Sequence, residues 1–320
     1  MYTIPSLEER VSIYLAPELR NGLKVKQKLP QKHLNNVYID NKFVHSSHGP
    51  GAHFSSGYAK NFEKIVSTTR FKNHKAIVMI GDSRDLGEHI AFAKTRAIHN
   101  SEGKYTLLKC FNQRRHWDYS QITSIHKRPL PEVLRFSDKK NTAIWRGCAN
   151  GGEWGWDLRP GNRFCLVEHA LNNPSPLFDI KFSKYPRETL KEVYYPVATG
   201  KPYPIHKMRE HKYIISVEGN DKDTGLNWKL KSNSAVLMAR PRITSWLMEE
   251  KLIPNFHYIE LRDDFKDLEE KIEWCNNHYK EVIEIIKNAH HFMSQFEDES
   301  REDLIQEKTI EKHFELVDYH

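Results

Sequence analysis

The sequence contains no long hydrophobic run. No stretch of its 320 residues approaches the roughly 18 consecutive apolar residues that a transmembrane helix needs. The N-terminal segment MYTIPSLEERVSIYLAPELR also lacks the basic region followed by an apolar region that marks a secretory signal. We therefore expect a cytoplasmic protein, in a bacterium or in the host cell of a virus, with no transmembrane segment and no more than peripheral contact with a membrane.

Cysteine is also scarce. The chain has four cysteines and no CxxC pair among them: Cys110, Cys148, Cys165 and Cys275. Because 38% of the residues are hydrophobic and 11% are aromatic, a folded core does not depend on disulfides, and we expect reduced thiols. The 18 histidines form neither an HExxH nor an HxH motif, so the sequence does not predict a histidine-based metal site.

Neither sign of charge dominates strongly. Lys and Arg number 49 against 42 for Asp and Glu, which gives a net charge of +7 and a pI near 9.0. This excess favours anionic partners such as nucleotides or phosphorylated glycolipids. The basic residues are dispersed and runs such as KVKQK (24–28) are short, so we expect no nucleic-acid binding.

What the chain does contain is an alternation of apolar runs and helix-like stretches. Residues 74–98 combine a β-branched run, a polar break and an amphipathic stretch that predicts a helix, and residues 105–111 (YTLLKCF) form another strand-like run. A segment rich in proline and charge (127–142) precedes five more candidate strands: Ala143–Trp145, Leu177–Phe182, Tyr213–Val217, Ala235–Met238 and His257–Glu260. This alternation predicts an α/β fold with a mainly parallel sheet.

An apolar stripe follows the last candidate strand. From Phe265 to Phe292, apolar residues recur at spacings of three and four, which predicts one long helix starting near Asp264. The acidic stretch beyond Glu297 keeps some helical character, and we expect it to pack back on the N-terminal part of the chain.

A polar loop with two glycines follows the candidate strand that ends at Val217. The loop reads EGNDKDTG (218–225), and in open α/β sheets ligands bind at such carboxyl ends of strands. Thr224 is the predicted N-cap of a helix, whose unpaired N–H groups favour an anion such as a diphosphate. Gly219 and Gly225 permit close approach of the backbone. From these residues alone, an ordinary strand–helix turn explains the pattern equally well.

The same loop contains the triplet Asp221-Lys222-Asp223. Two carboxylates at this spacing could alternatively hold a divalent metal through hard oxygen ligands. The triplet is common by chance and has a lysine between its acids, so metal binding is the weaker interpretation.

Four motifs occur in order along the C-terminal half of the chain. They are AIWRGCANGG (143–152) with a downstream arginine, LFDIKFS (177–183), HKYIISVEGNDKDTGLNWKLKSNSAVLM (211–238) and WLMEEKLIPNFHYIELRDDFKDLEEKIEWC (246–275). Together they resemble glycosyltransferase family 90, which includes protein O-glucosyltransferases, fungal capsule-associated transferases and bacterial lipopolysaccharide-type transferases. The resemblance extends from about Ile144 to Phe292, and the EGND..TGL.W pattern is most similar to the bacterial and large-DNA-virus branch.

The resemblance implies a GT-B fold, in which two Rossmann-like domains face each other across a cleft and a C-terminal helix returns to the first domain. Under it, residues 1–138 form the acceptor-side domain, residues 139–296 the donor domain, and residues 297–320 the returning tail. It also implies sugar transfer from a UDP-sugar with inversion at the anomeric carbon, without an essential metal or another cofactor.

An inverting transfer needs a base across the cleft from the diphosphate, to remove the proton of the acceptor hydroxyl. The resemblance assigns this part to an acidic residue just past a strand of the N-terminal domain. The matching stretch is IVMIGDS, so Asp82 is the candidate base, with Ser83 and Asp85 as its competitors. Asp82 could alternatively cap the helix that follows.

The resemblance also assigns the donor-binding residues. They are Gly147, Cys148, Arg163, Glu218, Gly219, Asn220, Asp221, Asp223, Thr224, Gly225 and Lys229. Cys148 stands where family members carry a serine, and Gly225 stands where many carry an arginine. Either Lys229 or Arg163 then supplies the positive charge for the diphosphate, or the helix terminus carries more of it, and Arg159 is the alternative to Arg163.

Three other motif residues allow a structural interpretation. We expect Arg146 to brace the sheet by pairing with a carboxylate rather than to contact the ligand. For His257 and Tyr258, buried packing explains their presence at least as well as catalysis does.

The resulting hypothesis is an inverting glycosyltransferase that moves xylose or glucose from a UDP-sugar to a hydroxyl of a glycan acceptor, on lipopolysaccharide or on a glycoprotein. The alternative is a catalytically inactive module that binds a nucleotide sugar or a glycan.

Overall fold

The structure is a computed structural model that describes residues 2–28, 36–39, 42–46, 65, 69–71, 74, 76–80, 89–99, 103–109, 134–150, 161–184 and 203–320. Within these ranges the chain forms two five-stranded sheets and two two-stranded sheets. The strands of both larger sheets are parallel apart from one pair, which confirms the predicted α/β fold with mainly parallel sheets.

The first large sheet comes from the N-terminal third of the chain. Its strands, in spatial order, are β2 (Asn36–Ile39), β3 (Lys42–Ser46), β4 (Ile77–Ile80), β5 (Ala91–Ala93) and β7 (Tyr105–Leu107). Only β2 and β3 pair in antiparallel fashion. The strands β4, β5 and β7 have their carboxyl ends at one edge, with Val78 opposite Phe92 and Phe92 opposite Thr106.

The predicted helix in residues 74–98 is wrong over its last part. Residues 91–97 instead contain two short strands, β5 and β6 (Thr95–Ala97). The residues Ile90, Ala91, Phe92 and Ala93 are all buried, so no polar face remains that an amphipathic helix could turn toward solvent. A continuous short apolar run of this kind is typical of a strand covered on both faces.

The second large sheet contains all five strands predicted for the C-terminal half. In spatial order they are β13 (Ile259–Glu260), β11 (Ala235–Met238), β10 (His211–Ile215), β8 (Lys140–Cys148) and β9 (Phe178–Lys184). Every pairing in this sheet is parallel. Its carboxyl edge therefore collects the ends of β8, β10, β11 and β13, where the strongest motifs are found.

Seven α-helices lie in the described part of the chain: α1 (Leu7–Tyr14), α2 (Arg163–Asn172), α3 (Ile205–Met208), α4 (Leu226–Leu230), α5 (Leu268–Asn277), α6 (Tyr279–Ser294) and α7 (Glu299–Leu316). The single long helix predicted from near Asp264 is thus two helices. The chain breaks at His278, whose φ of −121° and ψ of 52° are not helical. The buried residues keep the helical spacing across the break, so periodicity could not reveal it.

The remaining strands join distant parts of the chain. Strand β6 pairs in antiparallel fashion with β12 (Ile243–Ser245), which connects the region of the first sheet to that of the second. Strand β1 (Val25–Gln27) pairs with β14 (Val317–Tyr319) near the C-terminus. The C-terminal helix α7 contributes Ile310 and Phe314 to a core that contains residues of the first sheet. In the described ranges, no helix has both the length and the apolar character needed to cross a membrane.

Candidate functional site

The carboxyl edge of the second sheet carries the loop that the sequence singled out. Strand β10 ends at Ile215, and residues 216–225 lead into α4; we call this segment the β10–α4 loop. Half of the loop residues are buried, and Thr224 is its exposed residue. The loop is therefore partly enclosed by the protein.

Asp223 is the internal anchor of the β10–α4 loop. Its carboxylate accepts hydrogen bonds from the Ser216 hydroxyl at 2.6 Å and from the Gly225 backbone N–H at 2.8 Å, and it pairs with the Lys229 ammonium. Burial alone raises the pKa of Asp223, but Lys229 and these hydrogen bonds outweigh it, so the pKa lies below its usual value. Asp223 is therefore ionised at neutral pH.

The structure does not support Lys229 as a diphosphate ligand. Its ammonium is buried, where it pairs with Asp223 and donates to the Ile215 carbonyl at 3.0 Å. The charge that the sequence offered to the ligand is thus neutralised inside the protein. Of the two candidate cations, Lys229 and Arg163, the geometry favours Arg163.

The predicted N-cap role of Thr224 is wrong. The cap position of α4 is Gly225, which makes no side-chain cap, and the neighbouring Asp223 accepts the Gly225 N–H instead. Within the loop, the Gly219 N–H donates to the Asp221 carbonyl at 2.7 Å, and the Lys222 N–H donates to the Asp221 carboxylate at 2.8 Å. Several N–H groups expected to bind a diphosphate are therefore already used, and α4 spans only five residues.

Both carboxylates of the Asp-x-Asp triplet are paired with lysines. Asp221 lies 2.9 Å from the Lys94 ammonium, and Asp223 pairs with Lys229. Between them, Lys222 points the other way and donates to Ser245 and Glu249, at 2.7 and 3.1 Å. Hard cations prefer carboxylates that are free to coordinate. Across the described residues, no group of three or more His, Cys, Asp or Glu side chains is arranged to hold a metal ion.

Glu218 shapes the turn that follows β11. One carboxylate oxygen accepts the backbone N–H groups of Arg242 and Ile243, at 2.9 and 3.0 Å. Glu218 also lines a small cavity of ≈ 30 Å³ between the β10–α4 loop and residues 238–243. The resemblance assigns Glu218 to the donor-binding residues, and the structure adds this structural function.

Arg163 lies directly against the β10–α4 loop. It is the first residue of α2, which Asn162 caps by accepting the Cys165 N–H at 2.9 Å. Its guanidinium donates to the Cys148 carbonyl at 3.1 Å and to the Asn150 side chain at 2.5 Å. A Cβ atom added to Gly219 would lie 2.8 Å from the guanidinium.

Three predicted donor-binding residues therefore meet at this point: Cys148 at the end of β8, Arg163 at the start of α2, and Gly219 in the β10–α4 loop. Glycine at position 219 leaves room for the guanidinium, which any larger residue would displace. The result is a half-buried arginine beside two strand ends, which suits an anionic ligand.

The other residues of the first motif brace the sheet. Arg146 donates to the Asp179 carboxylate at 2.5 Å and to the Asp179 carbonyl at 2.7 Å, which ties β8 to β9. This agrees with the structural interpretation of Arg146. Gly147 packs against the Trp145 indole, since an added Cβ would lie 2.5 Å from the ring.

His257 and Tyr258 are packing residues. Both are buried, at 1% and 0% exposure. The His257 ring accepts the Ile253 N–H at 2.8 Å and packs edge-on against Tyr2. Burial lowers the pKa of His257 to about 4, so the ring is neutral near pH 7.

The candidate base lies outside the described residues. The ranges that the structure does not describe include Asp82, its competitors Ser83 and Asp85, and the alternative cation Arg159. The described strand β4 ends at Ile80, two residues before Asp82 in sequence, at the same sheet edge as the end of β5. Lys94 follows β5, and sequence reasoning did not identify it.

Comparison with known proteins decides the family. The profile described as glycosyl transferase family 90 matches residues 115–304, which is more than half of the chain. The chain belongs to glycosyl transferase family 90. The match includes β8 to β13 and the β10–α4 loop, so the cluster of Cys148, Arg163 and Gly219 lies within the family region.

Among relatives, O-glucosyltransferase LpsA of Dichelobacter nodosus is 31% identical to this chain over 243 residues, which cover 74% of this chain and 66% of LpsA. It is 26% identical to Uncharacterized protein 035R of Invertebrate iridescent virus 3 over 197 residues, 55% of this chain and 18% of that protein. The chain thus spans just under two thirds of LpsA and less than a fifth of the viral protein.

Among solved structures, a glycosyltransferase from Rickettsia africae ESF-5 is similar at 12% identity, with 85% of this chain and 76% of that chain covered. The TM-score is 0.41, which does not establish a shared fold.

Proposed function

We propose that this family 90 member is an inverting glycosyltransferase of GT-B architecture. It acts in the cytoplasm and moves glucose or xylose from a UDP-sugar to a hydroxyl of a glycan acceptor on lipopolysaccharide or on a glycoprotein. The name of the D. nodosus relative, an O-glucosyltransferase, supports glucose as the first donor to test.

The observation that carries the proposal is the contact of Arg163 with Gly219 at the carboxyl edge of the second sheet. A guanidinium can bind two phosphate oxygens at once and remains charged at any physiological pH. We place the donor diphosphate against Arg163, between the end of β8 and the β10–α4 loop, with Gly147 and Asn220 beside it. Asp221, Asp223, Thr224 and Gly225 then act mainly by shaping the loop.

The reaction is a single displacement. The acceptor oxygen forms a bond to the anomeric carbon while the bond between that carbon and the UDP oxygen breaks. The proton of the acceptor hydroxyl passes to a carboxylate, for which Asp82 is our candidate. Negative charge develops on the departing UDP, and Arg163 stabilises it more strongly in the transition state than in the ground state.

The test of this function is a panel of UDP-sugars incubated with the purified protein, with donor hydrolysis and transfer as the readouts. We expect turnover of UDP-glucose or UDP-xylose, and a loss of about 100-fold in Arg163→Gln. Arg135→Gln is the matched control, because Arg135 precedes β8 at the opposite edge of the sheet and should leave turnover unchanged.

Two outcomes would contradict the proposal. Full activity in Arg163→Gln would remove Arg163 from the donor site. UDP binding without turnover of any UDP-sugar would favour the alternative function, an inactive nucleotide-sugar binding module. Asp82→Asn distinguishes a transferase from an inactive binding module. In a transferase, this variant should lose transfer while keeping its affinity for UDP.

We also propose that transfer needs no metal ion. The support is that Asp221 and Asp223 already pair with Lys94 and Lys229. These two carboxylates thus do not fit a divalent cation. We expect EDTA to leave turnover of the UDP-sugar largely unchanged, as measured by UDP release with and without added Mg²⁺ or Mn²⁺. Abolition of turnover by EDTA, with recovery on adding metal, would overturn this point.

A further inference from the structure

A buried ion pair links the two halves of the molecule at the candidate site. Lys94 follows β5 at the carboxyl edge of the first sheet, and its ammonium lies 2.9 Å from the Asp221 carboxylate in the β10–α4 loop. Both side chains are only 6% exposed. This ion pair thus ties the β10–α4 loop, in the proposed donor domain, to the first sheet, in the proposed acceptor-side domain.

The neighbouring residue reinforces this link. Lys222 donates to Ser245 in β12 and pairs with Glu249, and both of these partners are buried. Strand β12 is itself paired with β6, with Ser245 opposite Thr95, the residue that follows Lys94. Asp221 and Lys222 are therefore both anchored where β6 and β12 pair. Asp221 is held by Lys94, which precedes β6, and Lys222 is held by Ser245 in β12.

The energetics make this link difficult to break. Charges removed from water are stable only when they are well paired, and a buried charge whose partner is lost is strongly unfavourable. The β10–α4 loop therefore cannot move away from the first sheet without separating the Asp221 carboxylate from the Lys94 ammonium. Movement of that kind would also carry Gly219 away from Arg163, because Gly219 bonds to the Asp221 backbone.

We propose that Lys94 is a positioning residue for the donor: through Asp221 it holds the β10–α4 loop so that Gly219 and Arg163 together receive the diphosphate. The proposal rests on the proposed function. It also gives the first sheet a part in donor binding, because Lys94 lies at the edge where β4 and β5 end.

The experiment measures the affinities of the full chain for UDP and for uridine, the latter by competition. We expect Lys94→Met to weaken UDP binding about tenfold or more while uridine binding changes much less, since the proposal places the diphosphate between Arg163 and the loop. Asp221→Asn should behave in the same way. The double variant should be no worse than the more affected single variant, because both remove the same pair. Lys94→Arg, which keeps the charge, should recover part of the UDP affinity.

The matched control is Lys139→Met. Lys139 is an equally buried lysine that donates to the Arg209 carbonyl and to Ser234, at the opposite edge of the second sheet. If Lys94→Met does not fold, Asp221→Asn carries the test. The proposal is overturned if UDP affinity is unchanged in the folded variant, if uridine affinity falls equally, or if Lys139→Met has the same effect. If the unaltered chain binds no UDP, the proposed function fails as well.

Discussion

At the scale of single residues, the Asp223–Lys229 pair decides how the β10–α4 loop is built. Asp223 makes contact with Ser216, Gly225 and Lys229, so one carboxylate connects the end of β10, the loop and α4. Side chains that the sequence assigned to a ligand instead hold the backbone in place. In the proposed function, a loop held in this way offers the donor a preorganised site.

We predict that Asp223→Asn destabilises the protein by about 3–5 kcal/mol, because it leaves the buried Lys229 ammonium without a charged partner. Lys229→Met should cost a similar amount, and the double variant should cost less than the sum of the two. The free energy of unfolding in urea, measured by circular dichroism, is the readout. The exposed Asp138 pairs with Arg135, and Asp138→Asn should change little. An equally small change in Asp223→Asn would contradict the buried-pair interpretation.

Sequence reasoning reached some of these residues and missed others for physical reasons. Arg163 was identified because the resemblance placed a required cation near it, and the structure brings it onto Gly219. Lys94 carries no local signal, since its partner Asp221 is distant in sequence and only the folded chain brings them together. The burial of Lys229 could not be predicted either, because lysine usually lies on the surface.

At the scale of elements, the sequence predicted the five strands of the second sheet and, in the first sheet, the apolar runs that contain β4 and β7. It predicted a helix where β5 lies, and it missed β6 and β12. Each of the five apolar runs predicted for the second sheet overlaps a strand. Strands β6 and β12 have three residues each, too few for a periodic pattern to appear. The break between α5 and α6 could not be predicted from the sequence, because the apolar stripe continues through it.

Strand β8 offers a test of packing within one element. Gly147 lies against the indole of Trp145, which is only 2% exposed. A Cβ atom added to Gly147 would lie 2.5 Å from the indole ring. We predict that Gly147→Ala destabilises the protein by about 1–3 kcal/mol, because overpacking forces the ring out of its place. Urea unfolding gives the value.

The control for this prediction removes part of the ring. In a Trp145→Phe background, Gly147→Ala should cost less than it does in the unaltered chain, because the smaller side chain leaves room for the methyl group. Equal costs in both backgrounds would show that the contact with Trp145 is not the cause.

At the scale of the whole molecule, the C-terminal helix α7 closes the fold on the first sheet through a buried histidine. His313 Nδ1 lies 2.8 Å from the Thr106 hydroxyl in β7, and Nε2 lies 2.8 Å from the Tyr319 hydroxyl in β14. The Tyr319 hydroxyl donates to the Ile90 carbonyl, so it accepts from Nε2–H, and the neutral ring satisfies both contacts. Burial lowers the pKa of His313 to about 3.

This lowered pKa predicts an acid-sensitive closure. The unfolded chain binds a proton at His313 below about pH 6.5, whereas the folded chain does not, so this contribution to stability is complete above pH 6.5 and is lost as the pH falls. Between pH 7 and pH 5 the expected loss from His313 is about 2 kcal/mol. His257 acts in the same direction, while Glu250, whose pKa burial raises to about 7, acts in the opposite one.

Because these groups partly offset one another, the test compares two slopes rather than one absolute stability. The free energy of unfolding in urea is measured at pH 7, 6 and 5 for the unaltered chain and for His313→Gln, which cannot titrate at this position. We expect the unaltered chain to lose about 2 kcal/mol more than the variant between pH 7 and pH 5. Parallel slopes would mean that His313 takes up its proton in the folded state, and the closure of α7 on the first sheet would then not depend on a neutral ring.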